Sequence, residues 1–199
     1  MSTFRRLLRA AGRLYRRVFK RQLDPHTREI ADTLRAVPVL GALSSGALYA
    51  MAEATHRRTY RRGESLYYEG DPGLGLYVVE SGRIRLVSDA DPDRPRTLRE
   101  LEAHEMFGGL SLLGDFRRLE TAETITEAQV LGFFRPDLKN VARRNPQAST
   151  EIVMALARRM ASQYVEAVRI IEEREGRDEA LDIYAEASTR VEAESAPLS

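Results

Sequence analysis

Residues 60–86 read Tyr-Arg-Arg-Gly-Glu-Ser-Leu-Tyr-Tyr-Glu-Gly-Asp-Pro-Gly-Leu-Gly-Leu-Tyr-Val-Val-Glu-Ser-Gly-Arg-Ile-Arg-Leu. Gly63, Gly70, Gly73, Gly75 and Gly82 divide this stretch into apolar runs of strand length. Glycine permits the positive backbone angles of tight turns, so each is expected where the chain reverses. A helix or a disordered segment would not keep this sheet-and-turn rhythm. Leu76–Val79 and Arg83–Val87 read as a hairpin pair around Glu80-Ser81-Gly82. Residues 89–95 form a polar, proline-containing loop, and 96–101 resume the alternation. Residues 121–126 and 129–134 read as closing strands. Several short strands at turn-marked intervals over 56–135 predict a small barrel or roll.

Helices are expected on both sides of that roll. In residues 1–23, Phe4, Leu7, Leu8, Ala11, Leu14, Tyr15 and Val18 recur at three- and four-residue steps and so share one helical face. Arg5, Arg6, Arg9, Arg13, Arg16, Arg17 and Lys20 cover the rest. A helical lead-in over 24–55 has its patterns at 27–36 and 44–54, with a turn at 37–41. A short helix around Leu138 and Val141 stops near Asn145-Pro146. Val153, Leu156, Met160, Tyr164, Ala167 and Ile171 then form a stripe on one long helix that ends before Gly176. Residues 136–175 hold both of these helices. The segment 176–199 is acidic, helical near Ala180 to Ala187, and frayed beyond. The fold class expected is α+β, mainly β: a double-stranded β-roll or jelly roll flanked by helices, the last of them long.

The formal net charge of +1 conceals an asymmetry. Residues 1–22 carry seven Arg and one Lys with no acid, +8, whereas 172–199 carry nine acids against three Arg, −6. The acid-free, amphipathic head suits an anionic membrane surface, an acidic partner groove, or packing on its own domain. The chain contains no cysteine, which excludes disulfides and thiolate metal sites. His26, His56 and His104 lack ligand-type spacing, and no metal site is expected. No carboxylate pair, activated nucleophile or Gly-Lys-Ser/Thr phosphate loop appears, so catalytic residues are not expected. No apolar run approaches the ~20 residues of a membrane span. A cytoplasmic protein, at most peripheral to a membrane or a larger assembly, is the expectation.

Two motifs carry a resemblance. One is Gly70-Asp71-x-Gly73 followed by Leu76-Tyr77-Val78-Val79-x-x-Gly82. The other is Phe107-Gly108-Gly109-Leu110-Ser111-Leu112-Leu113. Together they resemble the cyclic-nucleotide-binding domain shared by catabolite-activator-type regulators, cyclic-nucleotide-gated channels and kinase regulatory subunits, over roughly residues 38–172. The second motif is similar to that family's phosphate-binding cassette. The resemblance implies a ligand site at Phe107, Gly108, Gly109, Leu110, Ser111 and Arg118, and cAMP, cGMP or a cyclic dinucleotide as ligand. Arg118 falls at the position of the family's phosphate-binding arginine, and its alternative is a solvated surface arginine beside Arg117. The cassette's own alternative is a structural turn retained in a roll that has lost its ligand.

The chain departs from the family pattern at three places. Gly109 stands where the family has the ribose-binding glutamate, Leu119 where it has Ser or Thr, and Glu120 where it has a small alanine. A glycine cannot accept the ribose hydrogen bond. Glu120 either faces away from the site or pairs with Arg118 and opposes the phosphate. A helix this long must cover its stripe, and a homodimer seam through Val153, Leu156, Met160, Tyr164 and Ala167 is the expectation, with packing on the roll as the alternative. The residues after Glu175 are acidic and leave no helix-turn-helix module, so DNA binding by the chain itself is not expected. The expected function is a non-catalytic regulatory or scaffold module that senses a cyclic nucleotide with weakened or lost affinity. The alternative is a ligand-free assembly module recruited through its basic head.

Overall fold

The computed structural model describes residues 24–88 and 96–195. The basic head, with its proposed partner-binding residues from Arg5 to Lys20, lies outside the described residues. The chain divides into two compact units, residues 1–151 and 152–199.

The first unit opens with three helices. Helix α1 (Pro25–Ala36) has proline in its first turn, where the missing N–H costs nothing. The expected turn after it is a single helical turn, α2 (Pro38–Gly41). Helix α3 (Ser45–Glu53) is capped by Ser44, whose Oγ accepts from the Ala47 N–H at 3.2 Å.

Eight strands follow: β1 (His56–Tyr60), β2 (Ser65–Tyr67), β3 (Gly75–Ser81), β4 (Ile84–Ser88), β5 (Arg96–Leu101), β6 (Met106–Phe107), β7 (Thr121–Thr124) and β8 (Ala128–Phe134). A one-turn helix, α4 (Leu110–Leu113), lies between β6 and β7. The strands form two antiparallel four-stranded sheets, ordered β1-β8-β3-β6 and β2-β7-β4-β5. This is the expected roll. Helix α5 (Arg135–Arg144) closes it, and its Asp137 carboxylate accepts from the Phe134 N–H at 3.0 Å.

The expected hairpin of Leu76–Val79 with Arg83–Val87 does not form. Strand β3 pairs with β6 and β8, while β4 pairs with β5 and β7, so the chain changes sheet at Gly82. The reason is a shared corner. Gly82 has φ +82°, and a Cβ there would stand 2.3 Å from the Glu127 carbonyl oxygen. The β3–β4 and β7–β8 corners thus pass against each other, tied by Arg83 N–H to Thr126 Oγ1 (3.0 Å) and Ile125 N–H to the Arg83 carbonyl (2.9 Å).

The sheets enclose Tyr67, Val79, Ile84, Leu101, Phe107, Ala122, Ala128 and Val130. Residues of opposite parity in the first sheet, Leu76, Val78, Leu131 and Phe133, are also fully buried. Glu80, at the register irregularity between Val79 and Ser81, reaches the same face through Arg57, which pairs with Leu131. It receives Arg57 Nη2 at 2.7 Å and Thr33 Oγ1 of α1 at 3.4 Å, which places α1 on that side. Burial on both faces explains why β3 reads as an almost unbroken apolar run.

Helix α6 (Pro146–Glu175) begins in the first unit, where Asn145 Oδ1 accepts from the Ala148 N–H and Glu151 accepts from the Ser44 N–H. In the second unit it continues to Gly176, whose φ of +97° ends it, and α7 (Arg177–Ser195) follows. The helix therefore extends past Ala187, where the sequence expectation ended. The rings of Tyr164 and Tyr184 meet at 5.9 Å, so α7 returns along α6. Along the expected seam Leu156 is buried, Val153 and Met160 are half-buried, and Tyr164 and Ala167 are exposed.

Candidate functional site

The glycine-punctuated stretch and the cassette meet through their backbones. The Gly70 N–H donates to the Arg118 carbonyl (2.9 Å), the Arg118 N–H to the Asp71 carbonyl (2.9 Å), and the Gly73 N–H to the Phe116 carbonyl (3.0 Å). Pro72 and Arg117 complete this short antiparallel bridge. The turn at 70–73 therefore fixes the main chain from which Arg118 projects.

Arg118 is buried, with 5% of its surface exposed. The alternative of a solvated arginine beside Arg117 is overturned. Arg117 itself is exposed and donates to the Gly70 carbonyl at 2.6 Å. The Arg118 guanidinium donates through Nη1 to the Gly108 carbonyl and through Nη2 to the Gly75 carbonyl, both at 3.0 Å. Its carbon lies 4.1 Å from the centre of the Tyr67 ring and 5.5 Å from that of Tyr77. Guanidinium over an aromatic face is favourable, and more so when water is excluded. The Nε atom is buried without a hydrogen-bond partner. Among the described residues no carboxylate pairs with Arg118.

A buried cation with no counter-anion is costly, and its unpartnered Nε–H is a donor that an anion could satisfy. Tyr67, Tyr77 and Phe107 surround it with rings 5.4 to 6.2 Å apart. Burial, and then the neighbouring Glu120 carboxylate, hold the Tyr67 phenol far above its ordinary pKa. Burial likewise raises Tyr77, against the opposing pull of Arg118. Both phenols are therefore neutral at ordinary pH, and that of Tyr67 donates to Glu120 Oε1 at 2.9 Å.

The remaining cassette residues divide. Phe107 is part of the roll core, and Gly108 (φ +67°) supplies the carbonyl for Arg118. Any side chain at Gly108 would collide with Arg118 Nη1, at 2.3 Å from a built Cβ. Ser111 is buried, so close to Gly73 that a Cβ on that glycine would stand 1.8 Å from its Oγ. Leu110 is exposed. Gly109 is different: it has ordinary helical angles, and a Cβ there would meet only Met106 Cε, at 3.9 Å. Nothing near the Cβ position demands glycine at 109.

Glu120 adopts neither of the two expected arrangements. Its Oε1 accepts from the Tyr67 hydroxyl at 2.9 Å, and it makes no ion pair with Arg118. Sequence reasoning missed Tyr67 and Tyr77 as site residues. Their only signal was their place in the alternating run, which is shared by ordinary core residues. No group of histidine and acidic residues among the described residues is placed to hold a metal ion.

Residues 57–145 match the family model described as the cyclic nucleotide-binding domain. The chain is 36% identical over 104 residues to the cyclic AMP receptor protein of Thermus thermophilus, covering 52% of this chain and 48% of that protein. It is 32% identical to a cAMP-dependent protein kinase regulatory subunit of Debaryomyces hansenii, over 62% of this chain and 24% of that one. Among solved structures, the N-terminal domain of a transcriptional regulator from Streptomyces coelicolor matches with a TM-score of 0.62 and 30% identity, covering 68% of this chain and 95% of that domain. The match spans about half the length of the bacterial regulators and about a quarter of the kinase regulatory subunit.

Proposed function

Because the chain belongs to the cyclic nucleotide-binding domain family, we propose that it is a non-catalytic regulatory module that takes a cyclic nucleotide through Arg118, with weakened affinity. The observation that carries this reading is the buried Arg118 without a carboxylate partner, its Nε–H unused. A cyclic phosphate would receive that N–H in a charge-assisted hydrogen bond, and one or both Nη groups could turn to it from the backbone carbonyls. Tyr67, Tyr77 and Phe107 supply apolar surface around it. The weakness follows from Gly109, which offers no acceptor to a ribose hydroxyl and leaves that group poorly paired on burial.

Titration calorimetry with cAMP and cGMP tests the reading on the intact chain. Weak binding is expected for the wild type, with a loss on the order of thirtyfold in Arg118→Gln, where one charge-assisted contact disappears. Gly109→Glu places its Cβ without a clash and is expected to tighten binding about tenfold. Absence of heat at millimolar nucleotide for both the wild type and Gly109→Glu would overturn it.

The same module is proposed to act as a homodimer through α6. Tyr164, Val165 and Ile170 are exposed on it, and Leu181, Tyr184 and Val191 on α7. Helices of this kind gain most of their stability from covering such residues. Light scattering is expected to give twice the chain mass, and the monomer mass for Val165→Glu/Ile170→Glu. A monomeric wild type at tens of micromolar would remove this part. Recruitment to a membrane or a protein through Arg5 to Lys20 remains a separate proposal, supported by the sequence pattern of the head alone.

A further inference from the structure

Arg118 and Glu120 are two residues apart and oppositely charged, yet they do not pair. The arrangement around Tyr67 supplies the reason. The flat face of its ring lies against the Arg118 guanidinium at 4.1 Å, while its hydroxyl, on the ring's edge, donates to Glu120 Oε1 at 2.9 Å. One side chain thus touches both charges. Without that hydroxyl, the half-buried Glu120 carboxylate loses a hydrogen bond, while the Arg118 guanidinium lies against the same ring. An ion pair there would consume the free Nε–H and place a negative charge where a phosphate must come.

We infer that Tyr67 is a positioning residue: its hydroxyl holds the Glu120 carboxylate off Arg118 and so keeps the guanidinium available to an anionic ligand. The inference rests on the reading of Arg118 as the phosphate ligand. It adds what that reading lacks, a reason why a glutamate is tolerated at 120 beside an anion site. It also makes the ring and the hydroxyl of Tyr67 separable, the first serving packing and the second serving charge placement.

Tyr67→Phe keeps the ring and removes only the hydroxyl. Its cAMP affinity is expected to fall about tenfold, as expected when a like charge moves next to a bound anion. Tyr67→Phe/Glu120→Gln is expected to return to the wild-type affinity, and Glu120→Gln alone to bind no more weakly than wild type. A structural role for the hydroxyl would not be rescued by a substitution at 120. If the affinity lost in Tyr67→Phe stays lost in the double variant, the inference fails while the proposed function stands.

A ligand-free measurement completes the test. In nitrogen-resolved NMR, the Arg118 Nε–H is expected to shift downfield and exchange more slowly in Tyr67→Phe than in wild type, as it gains a carboxylate. That change is expected to disappear in the double variant. An unchanged resonance in Tyr67→Phe, or the same shift in the double variant, would overturn the inference. If no nucleotide binds but the resonance moves as expected, the proposed function falls and the placement of Glu120 by Tyr67 stands.

Discussion

Gly75→Ala is expected to cost about 3 kcal/mol or more of folding stability, at or beyond the upper end of ordinary overpacking. A Cβ at Gly75 would stand 2.3 Å from the Phe133 carbonyl oxygen and 2.7 Å from the Phe134 Cα. Both are backbone atoms of β8, the partner of β3, so no side-chain rotation relieves the collision. Relief requires the two central strands of the first sheet to separate where Gly75 pairs with Phe134. The Gly75 carbonyl also receives Arg118 Nη2, so the same movement releases one of the two anchors of the guanidinium. Urea unfolding followed by circular dichroism gives the number. A loss below about 1 kcal/mol would show that the sheet yields more readily than its packing implies. The contrast is Gly109→Ala, which is expected to leave stability nearly unchanged because its Cβ would meet only Met106, at 3.9 Å.

The second large effect concerns the attachment of α1 to the roll. Arg57 Nη2 donates to Glu80 Oε1 at 2.7 Å, and Nε lies 2.6 Å from Oε2 as an ion-pair contact without hydrogen-bond geometry, with both side chains mostly buried. Glu80→Ala leaves the Arg57 cation without its carboxylate and is expected to cost about 3 kcal/mol, the scale for breaking one half of a buried pair. Glu29, 3.6 Å away and largely exposed, offers only a weak replacement. Replacing both partners by apolar residues of similar volume, Arg57→Met/Glu80→Leu, is expected to recover most of the loss, because no orphaned charge then remains. A cost below about 1 kcal/mol for Glu80→Ala, or a double variant no better than the single one, would contradict this account. The pair binds β1, β3 and α1 together, and β3 carries the Gly75 carbonyl at its other end. The helical lead-in and the Arg118 anchor thus share one strand.

Much of this architecture was legible in the sequence because it depends on local spacing. Gly63, Gly70 and Gly82 do adopt positive φ, and the strand runs, the short helix after Arg135 and the long helix from Pro146 follow from periodicity. Gly73 and Gly75 were expected at reversals for the same conformational reason, but close approach requires them. Their neighbours, Ser111 and Phe116 for one and Phe133 for the other, lie 38 to 58 positions along the chain. The hairpin expected of β3 and β4 failed for a related reason. Adjacency along the chain favours pairing of consecutive strands, but at Gly82 the close passage of the β7–β8 corner takes the chain into the other sheet.

The candidate site divides in the same way. The sequence by itself determined the family, the position of the cassette, the absence of a carboxylate at 109 and the presence of an arginine at 118. Each is a matter of residue identity at a fixed offset from a motif. Only the tertiary structure decided that Arg118 is buried, that its Nε–H is unused, and that Tyr67 touches both it and Glu120. Charge pairing depends on which groups the fold brings within about 4 Å and which it holds apart. Tyr67 lies 51 positions before Arg118, and no period along the chain connects them. The two meet because β2 and β7 are neighbours in one sheet, and because the turn at 70–73 fastens the main chain of Arg118 beside them.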